Sequence, residues 1–225
     1  MAYRLRDGLS YCEVDDSLIF LDLDEDRYFS LPPRLEQRLR SHLQDDKTGA
    51  TASDLVHRKI LIDTPESADN FSPPRHPATL FSALEHHHFK VRTNALVLAE
   101  VLATICSTRL QLKWCRLRNV IDELCAYRQQ RVARVSSDPS EPSSELLLEA
   151  TQAFRHARRQ LPIEPSCLLD SISLIRFLSR RRLHARLVFG VTHHPFAAHC
   201  WVQAGDWVLN DTVGSITTHT PIREI

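Results

Sequence analysis

A chain of 225 residues with 43% apolar side chains can bury a core of ordinary size, as one domain or two small ones. Its 28 acidic and 28 basic residues cancel, so no net field argues for nucleic acid or an anionic membrane as a partner. The opening MAYRLRDGLSYCEV lacks the apolar centre of a signal peptide, and the longest apolar run, residues 95–106, is interrupted by Glu100 and too short to span a bilayer, so a cytoplasmic location is expected.

In chain order, residues 9–14, 17–21 and 27–31 are short runs rich in Val, Ile, Leu, Tyr and Phe, parted by acidic turns at 15–16 and 22–26. They predict three antiparallel strands. Pro32 and Pro33 end the third and open a helix over 34–43, with Leu35, Leu39 and Leu43 on one face. A second short helix is expected over 53–60. Residues 63–77, rich in Pro, Ser and Asp and without periodicity, read as a linker. From residue 78 the texture is helical: 79–89, 93–106, 117–131 and 145–161 carry apolar residues at helical spacing, with a loop over 136–144. The segment EPSCLLDSISLIRFLSRRRL, 164–183, gives a further amphipathic helix, started by Pro165 and Ser166 and closed by three arginines where the helix dipole favours cations. The period then switches to two, predicting strands over 186–192, 197–204 and 207–211. The fold class is α+β: a three-stranded sheet with small helices, then a helical lobe followed by an antiparallel sheet.

Six cysteines are scattered without framework spacing and without a C-x-x-C pair, and read as free thiols. Cys167 differs from the rest. It stands at the positive end of a helix, where unpaired N–H groups stabilise a thiolate. His199 and Asp211 fall on the last two predicted strands. If a three-residue loop, Ala204-Gly205-Asp206, joins these strands, Trp201 faces Leu209 and His199 faces Asp211. A two-residue Gly205-Asp206 turn slips the register by one and sends Asp211 to the other face. The first arrangement lets the carboxylate hold one imidazole nitrogen while the other activates a thiol. His86, His87 and His88 fan apart on a helix and no further ligand completes a site, so no metal is expected. G-x-x-x-x-G-K is absent and the chain has only five glycines, so no phosphate loop is expected. Trp114 and Cys115 are expected in a core or interface, and residues 180–182 as a solvated helix end.

A cysteine at a helix start, then a histidine and an aspartate on successive strands, is the order of transglutaminase-like, papain-related hydrolases. CLLDSISLIRFLSRRRLHARLVFGV followed by FAAHCWVQAGDWVLND resembles, more narrowly, the lasso peptide biosynthesis B proteins, cysteine proteases that remove the leader from a ribosomal precursor peptide. The resemblance implies Cys167 as nucleophile, His199 as general base and acid, and Asp211 as orienting carboxylate, within a transglutaminase-like domain over 78–225. The sequence departs at His184, where glycine is common, and at Cys200, where alanine is usual. Cys200 alternates to the face opposite His199, a poor rival nucleophile. Residues 1–72, with DRYFSLPP at the third strand, resemble a winged-helix-like leader-recognition domain, the RiPP recognition element. An extended leader would add to a free edge strand, here Arg27, Tyr28, Phe29, Ser30 and Leu31, with His57, Arg58 and Lys59 facing leader acidic groups. The implied partners are the precursor leader and an asparagine-synthetase-like macrolactam synthetase, to which any ATP requirement would belong; no cofactor, nucleic acid or membrane is implied. Acyl transfer to an amine, and a leader-binding chaperone with a vestigial triad, are the alternatives.

Overall fold

The structure is a computed structural model describing residues 2–44, 49–64, 72–85, 94–132 and 144–225. The first part runs β1 (Ala2–Leu5), β2 (Leu9–Val14), β3 (Ser17–Asp22), β4 (Arg27–Ser30), α1 (Pro33–Gln44), α2 (Gly49–His57) and β5 (Leu61–Thr64). Strands β2, β3 and β4 form one antiparallel sheet in that order, so β4 has a single strand neighbour among the described residues. Asp15 and Asp16, at φ 48 and 60, make the two-residue β2–β3 turn, a conformation that aspartate tolerates. The expected strands and the helix over 34–43 are present. The pair β1–β5 was not expected: strands of four residues leave little pattern to read. The second helix starts and stops before the expected 53–60, because Lys59 turns back at φ 58.

The register explains why β3 reads as an unbroken apolar run rather than an alternation. Tyr11, Phe20 and Phe29 lie side by side, with Phe20 stacked on Phe29 at 5.1 Å, and pack with Leu35, Leu39 and Leu55 under α1 and α2. Cys12, Ile19, Leu21 and Tyr28 point the other way, into the core of the rest of the chain. Both faces of this sheet are covered.

The second part contains β6 (Phe81–Ser82), α3 (Ala95–Trp114), α4 (Leu117–Val132), α5 (Ser144–Arg159), α6 (Cys167–Arg180), β7 (Arg186–Thr192), β8 (Ala197–Ala204), β9 (Trp207–Val208), α7 (Val213–Thr217) and β10 (Thr220–Glu224). The sheet order is β10-β7-β8-β9-β6, antiparallel except for β6 beside β9. Helix α6 packs against β8 and is enclosed by α3, α4 and α5, so Leu169, Ile172, Leu174, Ile175, Phe177 and Leu178 are all buried. A helix buried all round marks the centre of a fold.

Several expectations need correction. The helix over 79–89 is not formed in its described part. Residues 81–82 are strand, because Phe81 N–H bonds to Asp206 O at 2.9 Å and Ala83 N–H to Val208 O at 2.8 Å. The rest, with His86, His87 and His88, lies outside the described residues. So do residues 65–71 of the expected linker and 136–143 of the expected loop, while residues 63–64 belong to β5. Helix α3 runs on from the expected 93–106 to Trp114, and so is long and apolar enough by length and composition to cross a bilayer, although Val101, Thr104, Ile105 and Thr108 are buried in the protein. Trp114 and Cys115 are exposed rather than core. The helix end at 180–182 is anchored: Arg181 lies 3.5 Å over the Phe177 ring, and its Nη2 donates to Glu100 of α3 at 2.7 Å.

The two parts meet across the apolar face of the β2–β3–β4 sheet and at a charged joint beside it. Arg6 donates to Asp22 at 2.7 Å and to Asp24, and Asp24 also faces Arg118 of α4 at 3.4 Å. Gly8 is required there. Its φ is 82, and a Cβ on it would lie 2.3 Å from Arg118 Nη1.

Candidate active site

Cys167 is the first residue of α6 and its side chain is exposed. Ser166 is extended and its hydroxyl makes no cap hydrogen bond, while the first intrahelical bond runs from Asp170 N–H to Ser166 O at 2.9 Å. The N–H groups ahead of that bond are therefore uncapped by a side chain, which leaves the positive end of α6 open beside the sulfur. Arg158 fixes the approach to this turn. It donates to Asp170 at 2.6 Å, to Ile163 O at 2.9 Å and to Glu164 O at 3.2 Å, so one guanidinium on α5 holds both the helix start and the strap before it.

His199 lies on β8. Its Nε2 is hydrogen-bonded to Asp211, and the ring lies beside Cys167 at the shared lining of one cavity, close enough to lower the thiol. Asp211 takes a second bond from Thr212 N–H at 2.7 Å, and its backbone carbonyl accepts from Ser82 of β6 at 2.6 Å. Of the two hairpin registers that the sequence left open, the one that slips Asp211 out of line with His199 is formed. Ala204 pairs with Trp207 and Gln203 with Val208, so the loop is the two-residue Gly205-Asp206 turn, with Gly205 at φ 55. Asp211 still reaches His199 because β9 ends at Val208 and the chain bends away from the ladder. Leu209 N–H bonds to Val202 O at 2.8 Å, and then the Asn210 side chain takes over, accepting from Val202 N–H at 2.7 Å and donating to Ser171 of α6 at 2.8 Å. Alternation stops deciding faces where pairing stops.

The electrostatics follow from these contacts. The Cys167 thiol is lowered to about 4, first by a hydrogen bond from the Cys200 thiol and then by His199. His199 is raised to about 9 by Asp211 and by Cys167. Burial alone would raise the Asp211 carboxyl, but the bonds from His199 and Thr212 outweigh it and hold it below its usual range. Contact with Cys167 and burial push the Cys200 thiol well up, so it stays protonated, and its Sγ donates to the Ser171 hydroxyl at 4.0 Å. Cys200 is indeed on the face opposite His199. That face carries α6, and the buried thiol meets it at Ser171. The alternation that removes Cys200 as a nucleophile gave no sign of its effect on the Cys167 thiol. Thiolate and imidazolium side by side, with an open helix N-terminus, can attack a carbonyl and protonate its leaving group.

Residues 111–224 match the family profile of the transglutaminase-like superfamily, a span that runs from α3 to β10 and holds Cys167, His199 and Asp211. The chain belongs to the transglutaminase-like superfamily. A 59-residue stretch is 47% identical to the microcin J25-processing protein McjB of Escherichia coli, covering 26% of this chain and 28% of that relative. This likeness agrees with the resemblance to lasso peptide B proteins. No solved structure matches.

In this transglutaminase-like protein the nucleophile lies between two cavities. One, of about 320 Å³, is lined by Phe154, Arg155 and Arg158 of α5 together with Cys167, His199 and Asp211. The other, of about 140 Å³, lies on the opposite side against the N-terminal sheet. The five candidate leader-contacting residues divide between faces. Arg27, Phe29, Ser30 and Leu31 line a groove with Arg58 and Lys59 that also takes in Leu9 of β2 and Asp22 of β3. Tyr28 turns inward toward Cys167 and borders the smaller cavity. Among the described residues, no group of three His, Cys, Asp or Glu side chains is arranged to hold a metal ion.

Proposed function

We propose that this protein is a leader peptidase of lasso peptide biosynthesis, a cysteine hydrolase that binds the leader of a ribosomal precursor and cleaves the leader–core amide bond. The observation that carries this reading is the Cys167–His199–Asp211 relay at an open helix N-terminus, in a chain similar over part of its length to a microcin-processing protein. The leader adds as an antiparallel strand to β4, whose outer N–H and C=O groups have no strand partner among the described residues. Arg27, Arg58 and Lys59 along that groove favour an acidic leader. The Cys167 thiolate attacks the junction carbonyl, and the first-turn N–H groups of α6 receive the oxyanion. His199 gives its proton to the departing amine, so the C–N bond breaks and a thioester remains. Water, deprotonated by His199, hydrolyses the thioester and frees the leader acid. The protein works in the cytoplasm beside the asparagine-synthetase-like macrolactam synthetase, with no cofactor of its own.

The test is mass spectrometry of the precursor peptide incubated with wild type and Cys167→Ala, each with and without the synthetase and ATP. The expected result is a leader fragment with wild type and none with Cys167→Ala. Binding without cleavage under every condition would replace this reading with a leader-presenting chaperone, and a product joined to an added amine would replace it with acyl transfer.

A further inference from the structure

We infer that Arg155 and Thr151, on the face of α5 that lines the larger cavity beside Cys167, form a subsite for a carboxylate, so that the active site takes an acidic side chain of its peptide substrate close to the scissile bond. This rests on the peptidase reading and adds to it the charge of the residue that the site selects.

Thr151, Arg155 and Arg158 are spaced by four and three residues, so they share one face of α5. All three line the cavity of about 320 Å³ that also holds Cys167 and His199. Arg158 is already engaged, by Asp170 and by the carbonyls of Ile163 and Glu164. His199, the other paired cation of the lining, holds Asp211 and faces Cys167. Arg155 is half-buried and has no hydrogen bond or ion pair among the described residues. Burial, and after it Arg159, hold its guanidinium below the usual range, with no carboxylate acting against them. A guanidinium stays charged in such a place and needs an anion from outside.

Thr151 is the second observation. It is 1% exposed, and its hydroxyl has no hydrogen-bond partner among the described residues. A buried hydroxyl is costly to leave unpaired. One turn from Arg155, it can donate to the same group that the guanidinium holds. A carboxylate suits both. It is planar, accepts two parallel N–H bonds from a guanidinium, and keeps lone pairs for a hydroxyl. Its single charge matches the single free cation, whereas the second charge of a phosphate group would meet Asp170 and Asp211 in the same lining. Leu84, Phe154, Leu174 and Leu209 make the remaining wall apolar, which strengthens an ion pair formed there.

The test uses iodoacetyl-glycine, iodoacetyl-β-alanine and iodoacetyl-γ-aminobutyrate, each against its own carboxamide, so that only the charge differs. Alkylation is followed cysteine by cysteine by peptide mass mapping, near neutral pH and at low ionic strength. Cys106 and Cys115 are exposed and line no part of the cavity, so they give the acid-to-amide rate ratio without the subsite. For at least one probe length, the ratio at Cys167 should exceed theirs by about tenfold or more, the range of a hydrogen bond to a charged group. Arg155→Gln should bring it to their level or below, because Asp170 and Asp211 then repel the acid. Arg155→Lys should keep part of it, and Thr151→Val should lower it several-fold. Each ratio is taken within one variant, so a change in thiolate reactivity cancels. Should Arg155→Gln fail to fold, the same comparison is read from Arg155→Lys and Thr151→Val. A wild-type ratio at Cys167 no higher than at Cys106 and Cys115 for every probe overturns the inference, as does a raised ratio that the variants leave unchanged. Protection of Cys167 by inorganic phosphate and not by acetate overturns the carboxylate assignment in favour of a phosphate group. If the ratio follows Arg155 but no precursor is cut, the leader-peptidase reading fails and the subsite stands. If the precursor is cut and the ratio ignores Arg155, the reverse holds.

Discussion

Between about pH 4 and 9 the Cys167 sulfur is a thiolate and His199 carries a proton. Below that window the thiol regains its proton and cannot attack. Above it His199 loses the proton that the leaving amine needs. The kcat/KM profile for precursor cleavage is therefore expected to be a bell with limbs near 4 and 9, belonging to the pair rather than to either group. Cys200→Ala removes the neighbour that lowers the Cys167 thiol most, so the acid limb should move up toward the ordinary thiol value of about 8.5. An acid limb that stays put in Cys200→Ala would show that His199 alone sets the thiolate. Asp211→Asn should move the alkaline limb down and cost about two orders of magnitude or more in rate, since the imidazolium loses its holder. Three of these four residues were legible from type and placement: a cysteine at a helix start and a His and Asp near a hairpin. Cys200, Asn210 and Arg158 were not, because each acts through a contact that exists only once α6 lies on β8 or α5 lies beside α6.

At the scale of elements, the site depends on how closely β7, β8 and the α7–β10 turn stack. Gly190 of β7 sits opposite His199, and a Cβ there would lie 2.7 Å from the Trp201 ring and 3.1 Å from His219 Cβ. Trp201 is fully buried, and both it and His219 lie against the His199 ring, at 6.2 and 5.3 Å between centroids. Gly190→Ala must push these rings apart, at a cost of about 1–3 kcal/mol. Its expected signature is a fall in kcat/KM together with a lower Tm, while Cys167, on another element, still reacts with iodoacetamide. Arg158→Ala acts from the helical side. It strands the half-buried Asp170 and two carbonyls, so a loss of about 3–5 kcal/mol is expected in denaturant unfolding. The long elements were readable because their periods repeat several times. The two-residue β6 and the four- and five-residue β1, β5 and β10 were not, because their pairing is set by partners distant in sequence.

At the scale of the whole molecule, the proline-rich stretch at 63–77 pointed to two units, yet Cys12, Ile19, Leu21 and Leu23 share a core with Ile105, Leu124, Phe177 and Leu187. The clue in the sequence was the run at 17–21, which lacks the alternation of a half-exposed strand; what covers the second face is a tertiary fact. A sheet buried on both faces cannot be uncovered without exposing apolar surface, so the chain should unfold as one cooperative unit. Calorimetry should give a single transition whose calorimetric and van't Hoff enthalpies agree, and two separated transitions would overturn the shared core. Ile19→Ala sharpens the point. Ile19 is 2% exposed and faces the catalytic core, so truncation should cost about 2–5 kcal/mol. Because Ile19 lies next to Leu21 on the face that borders the smaller cavity, the same variant should also slow cleavage at temperatures well below its Tm. Phe20→Ala, on the opposite face among Phe29, Leu35 and Leu39, should cost as much stability but leave the Cys167 alkylation rate nearer to wild type. Equal kinetic effects from the two neighbours would mean that the sheet serves the site only through global stability.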